Sequence, residues 1–292
     1  MNLKRIDAAI AAYADKLDAA DLARLAFFRT LWGVQAACSD EMSVQVTWEA
    51  PAPADVLVAY REGRAIFDLA PVPVDADALI ATLGKLAEVF NDAGGFPADT
   101  IAAFARVKWD SVVLQSDCAL AGSNPSAWLA KVAAVLNSGS MTGDQALLGA
   151  LTASLALKVQ LEQPAQAAMV ALRTAGVAEP RPLLCPVCGS APTLAHVGAN
   201  TSSSGRGRVL VCPQCACTWE FERVRCARCG NRSQERLHFY SISGDDAHRL
   251  ATCDECGGYI RTLYSEEGSF LPCSYEVEDV VMARLDALAR AR

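Results

Sequence analysis

The chain has 292 residues, 52% hydrophobic and 20% charged, with 12 cysteines and a net charge of −7. At roughly 150 residues per domain this length predicts about two domains, and a chain of this size buries enough surface to fold without disulfides. The apolar content excludes disorder, and the acidic balance argues against a general nucleic-acid binder. No uncharged apolar run reaches the roughly 18 residues of a membrane span. The best, Gln145 to Leu157, is bounded by Asp144 and Lys158. Asp7 and Asp15 interrupt the apolar residues at the N-terminus, so no signal-peptide core is expected. The expected compartment is therefore the reducing cytoplasm, where many cysteines imply metal or redox chemistry.

Residues 1–179 are rich in alanine and leucine and carry 13 Lys+Arg against 20 Asp+Glu, a net −7. Leu22, Leu25, Ala26, Phe28, Leu31 and Trp32 recur at spacings of three and four, as one apolar helix face requires. Similar patterns predict helices over Ala78–Phe90, Ile101–Leu114, Trp128–Leu136 and Ala146–Leu161. Their expected starts are Asp75 or Asp77, Pro97-Ala98-Asp99, Asn124-Pro125-Ser126 and Thr142-Gly143-Asp144. Val44–Trp48 alternates and reads as a short strand. The aromatic and leucine stripes read as a bundle core. This half holds no phosphate-binding glycine loop, no histidine and no nucleophile with a visible partner. Glu179-Pro180-Arg181-Pro182 then forms a stiff linker, because each proline fixes φ and removes a donor.

Ten of the twelve cysteines follow, between Cys185 and Cys273. Eight form C-x-x-C pairs: Cys185/Cys188, Cys212/Cys215, Cys226/Cys229 and Cys253/Cys256. Cys226 follows Cys185, and Cys253 follows Cys212, by the same 41 residues, so the segment is a duplication. Gly189 and Gly230 follow the second cysteine in each copy, and Arg208 matches Arg249. Paired cysteines on tight turns present two sulfurs from one loop, and two facing turns give a tetrahedron of thiolates. The intervening segments, Gly198–Val211 and His238–Thr252, read as β-hairpins that support the turns.

The expected ligand sets are Cys185, Cys188, Cys212, Cys215 and Cys226, Cys229, Cys253, Cys256, each holding one mononuclear ion. Pairing across the copies, Cys212/Cys215 with Cys226/Cys229, stays open. Thiolate tetrahedra suit zinc or a rubredoxin-like iron. A site saturated by protein sulfur leaves no position for substrate, so no enzyme is expected. Cys38, Cys118, Cys217 and Cys273 read as spare thiols. His196, His238 and His248 read as surface or hairpin residues, with alternative ligation as the rival. A basic run, Arg223, Arg225, Arg228, Arg232 and Arg236, raises a nucleic-acid zinc ribbon as a rival function. Tetrathiolate sites would make the segment negative, which favours an arginine-rimmed protein interface. Glu276–Arg292 is amphipathic through Val277, Val280, Val281, Leu285 and Leu288. It is expected to pack on the helical domain or on a second subunit, as in a homodimer.

The segment from Arg181 to Tyr264 resembles the formate dehydrogenase accessory protein family, FdhE. The residues that carry the resemblance are Arg181-Pro182, Cys185-Pro186-Val187-Cys188-Gly189-Ser190, Cys212-Pro213-Gln214-Cys215 with Thr218-Trp219, and Arg223-Val224-Arg225-Cys226-Ala227-Arg228-Cys229. Leu237-His238-Phe239-Tyr240, Cys253-Asp254-Glu255-Cys256-Gly257, Tyr259-Ile260 and Leu263-Tyr264 complete it. The resemblance implies a cytoplasmic maturation factor that binds the catalytic subunit of a respiratory formate dehydrogenase before twin-arginine export. It also implies that the eight paired cysteines are ligands, that iron moves ahead of zinc, and that no catalytic residue is transferred. The rival readings are a redox-active iron protein acting on a partner's cofactor or cysteine, and a zinc-ribbon nucleic-acid binder.

The expected architecture is α+β and multidomain. A helical domain over 1–179 precedes two tandem rubredoxin-like or zinc-ribbon-like modules over 183–224 and 225–275, and a C-terminal helix closes the chain over 276–292.

Overall fold

A computed structural model of the chain describes residues 1–42, 48–139, 141–177, 181–202, 205–265 and 273–290. Most of the expected Val44–Trp48 strand, Glu179-Pro180 of the linker and the side chain of Leu288 lie outside what is described. The helices are α1 (Leu3–Ala11), α2 (Ala19–Met42), α3 (Pro53–Arg61), α4 (Ile66–Leu69), α5 (Ala76–Asp92) and α6 (Ala98–Phe104). They continue as α7 (Trp109–Gln115), α8 (Cys118–Ser123), α9 (Pro125–Ser138) and α10 (Gly143–Thr174). By contacts the chain forms two compact units. One holds Met1, Phe27–Val177 and Val187–Ser190; the other holds Asn2–Ala26, Ala178–Pro186 and Ala191–Arg292. None of the described helices is long and apolar enough to cross a membrane.

The first unit is helical, and its caps follow local chemistry. Asp75 accepts from Ala78 N at 3.0 Å, Asn124 accepts from Ala127 N at 3.1 Å, and Thr142 forms a reciprocal capping box with Gln145. The stripes form the core: Leu31, Trp32, Phe90, Trp128 and Leu136 are all buried. Phe27, Phe90, Phe104 and Trp109 stack edge-to-face in a chain with neighbouring centroids 5.2–5.6 Å apart.

Two expected helices differ from the reading. The continuous helix over Ile101–Leu114 is broken into α6 and α7, with residues 105–108 between them. Phe104 and Trp109 are both buried and pack on each other. Five residues apart on one helix, they would point about 140° from each other, so the break brings both onto one core. By contrast, α10 runs past the expected end at Leu161, through a buried Pro164. Ala165, Ala168 and Leu172 continue the buried face, and that packing outweighs the one backbone bond the proline removes.

In the second unit are β1 (Leu194–Ser202), β2 (Gly205–Val211), β3 (Thr218–Phe221), β4 (Leu237–Tyr240), β5 (His248–Cys253) and β6 (Tyr259–Tyr264), followed by α11 (Tyr275–Val281) and α12 (Ala283–Arg290). The strands form one sheet in the order β3-β2-β1-β6-β5-β4. Each 41-residue copy is thus a three-stranded antiparallel module. The modules join head to tail through parallel pairing of β1 with β6, in the register Leu194↔Arg261 to Val197↔Tyr264. The hairpins β1–β2 and β4–β5 were expected; the third strand of each module, which follows the second cysteine pair, was not.

Cross-strand partners share a face. Leu194, Val211, Leu250 and Leu263 therefore lie on one face, where Met282 and Leu285 of the tail cover them. Arg261 donates to the Asp279 carbonyl at 2.8 Å, and Tyr259 to Asp286 at 3.1 Å. The expected docking of the tail on the helical residues 1–179 is met in part, since α11 packs on α1 and Tyr13 donates to Glu278 at 2.8 Å; the sheet that the tail also covers was not foreseen. An apolar sheet face needs a covering layer, and the amphipathic tail is the next segment of chain. The tail is also two helices rather than one, divided at Met282. The opposite face carries Arg208, Phe221, Arg249, Ile260, Phe239 and Tyr264.

Candidate metal centres

All four C-x-x-C segments are turns with the same local build. The residue after the second cysteine has positive φ in each: Gly189 at 75°, Ala216 at 59°, Gly230 at 80° and Gly257 at 64°. Three of the loops are tied shut by the first cysteine's N–H, from Cys212 to the Cys217 carbonyl at 2.9 Å, Cys226 to Asn231 at 2.8 Å, and Cys253 to Gly258 at 3.0 Å. The short loop leaves amides facing sulfur: Arg228 N donates to Cys226 Sγ at 3.3 Å. The strands bring the turns together, because each hairpin returns its second pair beside its first.

The eight sulfurs fall into the two expected sets, Cys185, Cys188, Cys212, Cys215 and Cys226, Cys229, Cys253, Cys256, with all ligand atoms of a set within 4.8 Å of one another. The cross-copy pairing of Cys212/Cys215 with Cys226/Cys229 is not what the geometry brings together. Cys185 and Cys215 are 3.6 Å apart; Cys226 and Cys256, and Cys229 and Cys253, are 3.8 Å apart. A thiolate tetrahedron with metal–sulfur bonds of about 2.3 Å has edges of about 3.8 Å. A disulfide would need about 2.05 Å, and no cysteine is in one. The donor sets therefore fit a tetrahedral ion such as zinc or iron, and each set could hold one.

The two sets differ in exposure. All four cysteines of the first are buried, whereas Cys229 and Cys256 of the second are exposed. Burial opposes ionisation of Cys253, yet the amides of Cys256 and Glu255 and the Asn231 side chain bring it down to about 7. Cys229 is pushed up to about 12: the Asn231 amide favours its thiolate, but burial and hydrogen bonding to Cys256, Cys226 and Cys253 outweigh it.

Cys217 and Cys38 are buried, Cys118 and Cys273 partly so, and none is in either set. His196 and His238 bond Tyr275 and Asp254 and belong to neither set. His248 meets the hairpin half of its reading, on β5, but not the surface half. It is 3% exposed on the covered sheet face, between Asp245 at 2.8 Å and Glu278 at 3.0 Å, with Tyr13 at 3.1 Å and Arg284 alongside. Its partners come from four separate segments, and only Asp245, three residues away, was a local signal. The basic run is partly neutralised: Glu222 pairs with Arg225 and Arg232, and Glu255 with Arg236.

No family model matches the chain. Among curated proteins, it is 31% identical over 107 residues to an FdhE homolog of Aquifex aeolicus, covering 36% of each chain. It is 38% identical over 84 residues to an FdhE homolog of Stutzerimonas stutzeri, and 36% over 84 residues to FdhE of Escherichia coli. The chain resembles FdhE. The matched segments cover 36%, 27% and 26% of these relatives' own lengths. The crystal structure of the FdhE protein from Pseudomonas aeruginosa superposes on 99% of this chain and 89% of its own, with a TM-score of 0.56 at 17% identity. That likeness is one of fold: a helical N-terminal region, a sheet with two four-cysteine clusters, and a helical C-terminus.

The FdhE-like residues outside the cysteines fasten the modules together. Trp219 Nε1 donates to the Pro182 carbonyl at 2.9 Å, and Arg225 donates to the Arg181 carbonyl at 2.9 Å while its guanidinium lies 4.9 Å from the Phe221 ring centre. The Arg181-Pro182 and Trp219 signature is thus one contact read at two places in the sequence.

Proposed function

We propose that the chain is an accessory factor for formate dehydrogenase. It binds the immature catalytic subunit in the cytoplasm, before twin-arginine export, and performs no catalysis of its own. The observation that carries this reading is the likeness to FdhE over the segment holding two closed tetrathiolate sets. The eight cysteines are its metal ligands, with iron favoured and zinc the alternative. A metal there would crosslink turns that are far apart in sequence and hold a partner-binding surface in shape. The working division is a helical domain over 1–179, modules over 183–224 and 225–275, and a tail over 276–292.

Capture of the catalytic subunit by the tagged full chain tests it. The expected result is co-purification that falls at least fivefold when Cys185 and Cys188 are both changed to serine. No capture by the unchanged protein overturns the proposal. Elemental analysis with an absorption spectrum of anaerobically purified protein identifies the metal.

The exposure of Cys229 and Cys256 favours a second reading, in which an iron in the outer set exchanges electrons with a partner. Reversible bleaching of a visible charge-transfer band supports it, and a colourless zinc protein excludes it. The nucleic-acid reading is weakened by the carboxylates that pair with Arg225, Arg232 and Arg236.

A further inference from the structure

Beside the second cysteine set, on the face of the sheet that the tail leaves uncovered, lies a small pocket. Its floor is apolar, from Leu237, Ala251 and Ile260, and its walls include Arg208, Arg223 and Arg228. Arg208 is the unusual member. It is 4% exposed, yet the described residues give it no carboxylate within ion-pair distance. One of its terminal nitrogens donates to the Arg225 carbonyl at 2.9 Å, and its Nε finds no partner among the described residues. Its guanidinium lies 5.6 Å from the Phe221 ring centre, and burial pulls it down to about 10 although Tyr264, Cys226 and Glu222 act in its favour; a buried cation without an ion-pair partner is costly. Arg223 and Arg228 are exposed, and no described carboxylate pairs with either.

The pocket is lined in part by Leu237 and Phe239 of β4, which ends the sheet with no further described strand beside it. Phe239 of that strand is 49% exposed and lines the pocket. An edge strand offers unused backbone donors and acceptors to an extended chain, and alternate side chains of that chain then meet one face.

We propose that this arginine-walled pocket and the β4 edge together bind an extended acidic segment of a protein partner, with a carboxylate among Arg208, Arg223 and Arg228 and, two positions along on the same face, an apolar side chain on Phe239. Charge complementarity selects the acid, the apolar floor selects a peptide over a bare anion, and the open edge supplies the backbone pairing. The proposal deepens the accessory-factor reading by giving the partner its docking surface. It rests on that reading only for the partner's identity.

The test uses the metal-loaded full chain and a fluorescein-labelled peptide repeating glutamate-serine-valine-serine, which puts glutamate and valine on one face of an extended chain, followed by anisotropy. The peptide is expected to bind, its analogue with glutamine for glutamate at least tenfold more weakly, and R223E/R228E to lower affinity at least tenfold. Both side chains are exposed, but Arg228 lies within the Cys226–Cys229 turn, so circular dichroism and metal content check that the variant keeps its fold and its ions, and R223E alone, outside the turn, is expected to lower affinity at least threefold. Equal binding of the two peptides, no binding at millimolar peptide, or a single-stranded oligonucleotide that binds more tightly than the acidic peptide overturns the proposal. Catalytic-subunit capture by R223E/R228E separates the two claims. Undiminished capture overturns the docking surface and leaves the accessory role standing. Peptide binding without capture by the unchanged protein supports the surface and removes the accessory role.

Discussion

At the residue scale, the knuckles make a backbone demand that chemistry alone does not reveal. Three of the four close on glycine at positive φ, and the fourth closes on Ala216 at 59°. A left-handed alanine is strained by about 1 kcal/mol relative to glycine. Changing Ala216 to glycine should therefore stabilise the protein by up to about 1 kcal/mol. A Cβ added at Gly257 meets open space, so Gly257→Ala should destabilise by about 1 kcal/mol through backbone strain alone. Denaturant midpoints of the metal-loaded protein check both. His248 makes a second residue-scale prediction. Burial disfavours its charged form, but the hydrogen bonds it donates to Asp245 and Glu278, with their charges, raise it to about 9. Because the folded-state value lies above the ordinary 6.5, the stabilisation is complete below about pH 6.5 and is lost as pH rises through about 9. It is worth on the order of 3 kcal/mol. Stability should fall across that alkaline window in the unchanged protein, and H248Q should flatten the decline in thermal melts.

At the element scale, local signals and packing divide the work. The caps at Asp75, Asn124 and Thr142 were readable because an N-cap needs only its own side chain and the next turn. Replacing Thr142 by alanine removes the hydroxyl that accepts from Gln145 N, while leaving the Thr142 N–H free to donate to the Gln145 side chain, and should cost about 1 kcal/mol, measured by chemical denaturation. The break between α6 and α7 was not readable, because apolar spacing over Ile101–Leu114 satisfies a helix. What broke it is the shared core that buries Phe104 beside Trp109. Third strands β3 and β6 were missed for a related reason. Four and six residues are too short for periodicity, and they are strands because β2 and β5 present edges to them.

At the scale of the whole molecule, duplication produced two similar sites in unequal surroundings. The first set is wholly buried, and the second exposes Cys229 and Cys256. Ion release to a coloured chelator should therefore be biphasic, with the second set emptying first. Changing Cys226 and Cys256 to serine should remove the fast phase, and changing Cys185 and Cys215 should remove the slow one. A single phase in the unchanged protein would contradict the difference in burial. The head-to-tail joining of the modules also explains why the sheet ends on β3 and β4, strands from opposite ends of their modules, and why β4 remains an edge.

The spacing of eight of the twelve cysteines made the two four-sulfur sets the expected pairing, since a C-x-x-C turn is a local object and a 41-residue repeat pairs the turns in order, and the tertiary structure decided against pairing across the copies. Helix faces and caps were equally local. The tertiary structure alone decided which set is exposed, where the amphipathic tail lies, and how His248 and Arg208 came to be buried with such different company. Those outcomes depend on which surfaces meet, and partners as distant as Tyr13 and His248 leave no mark in the sequence around either residue.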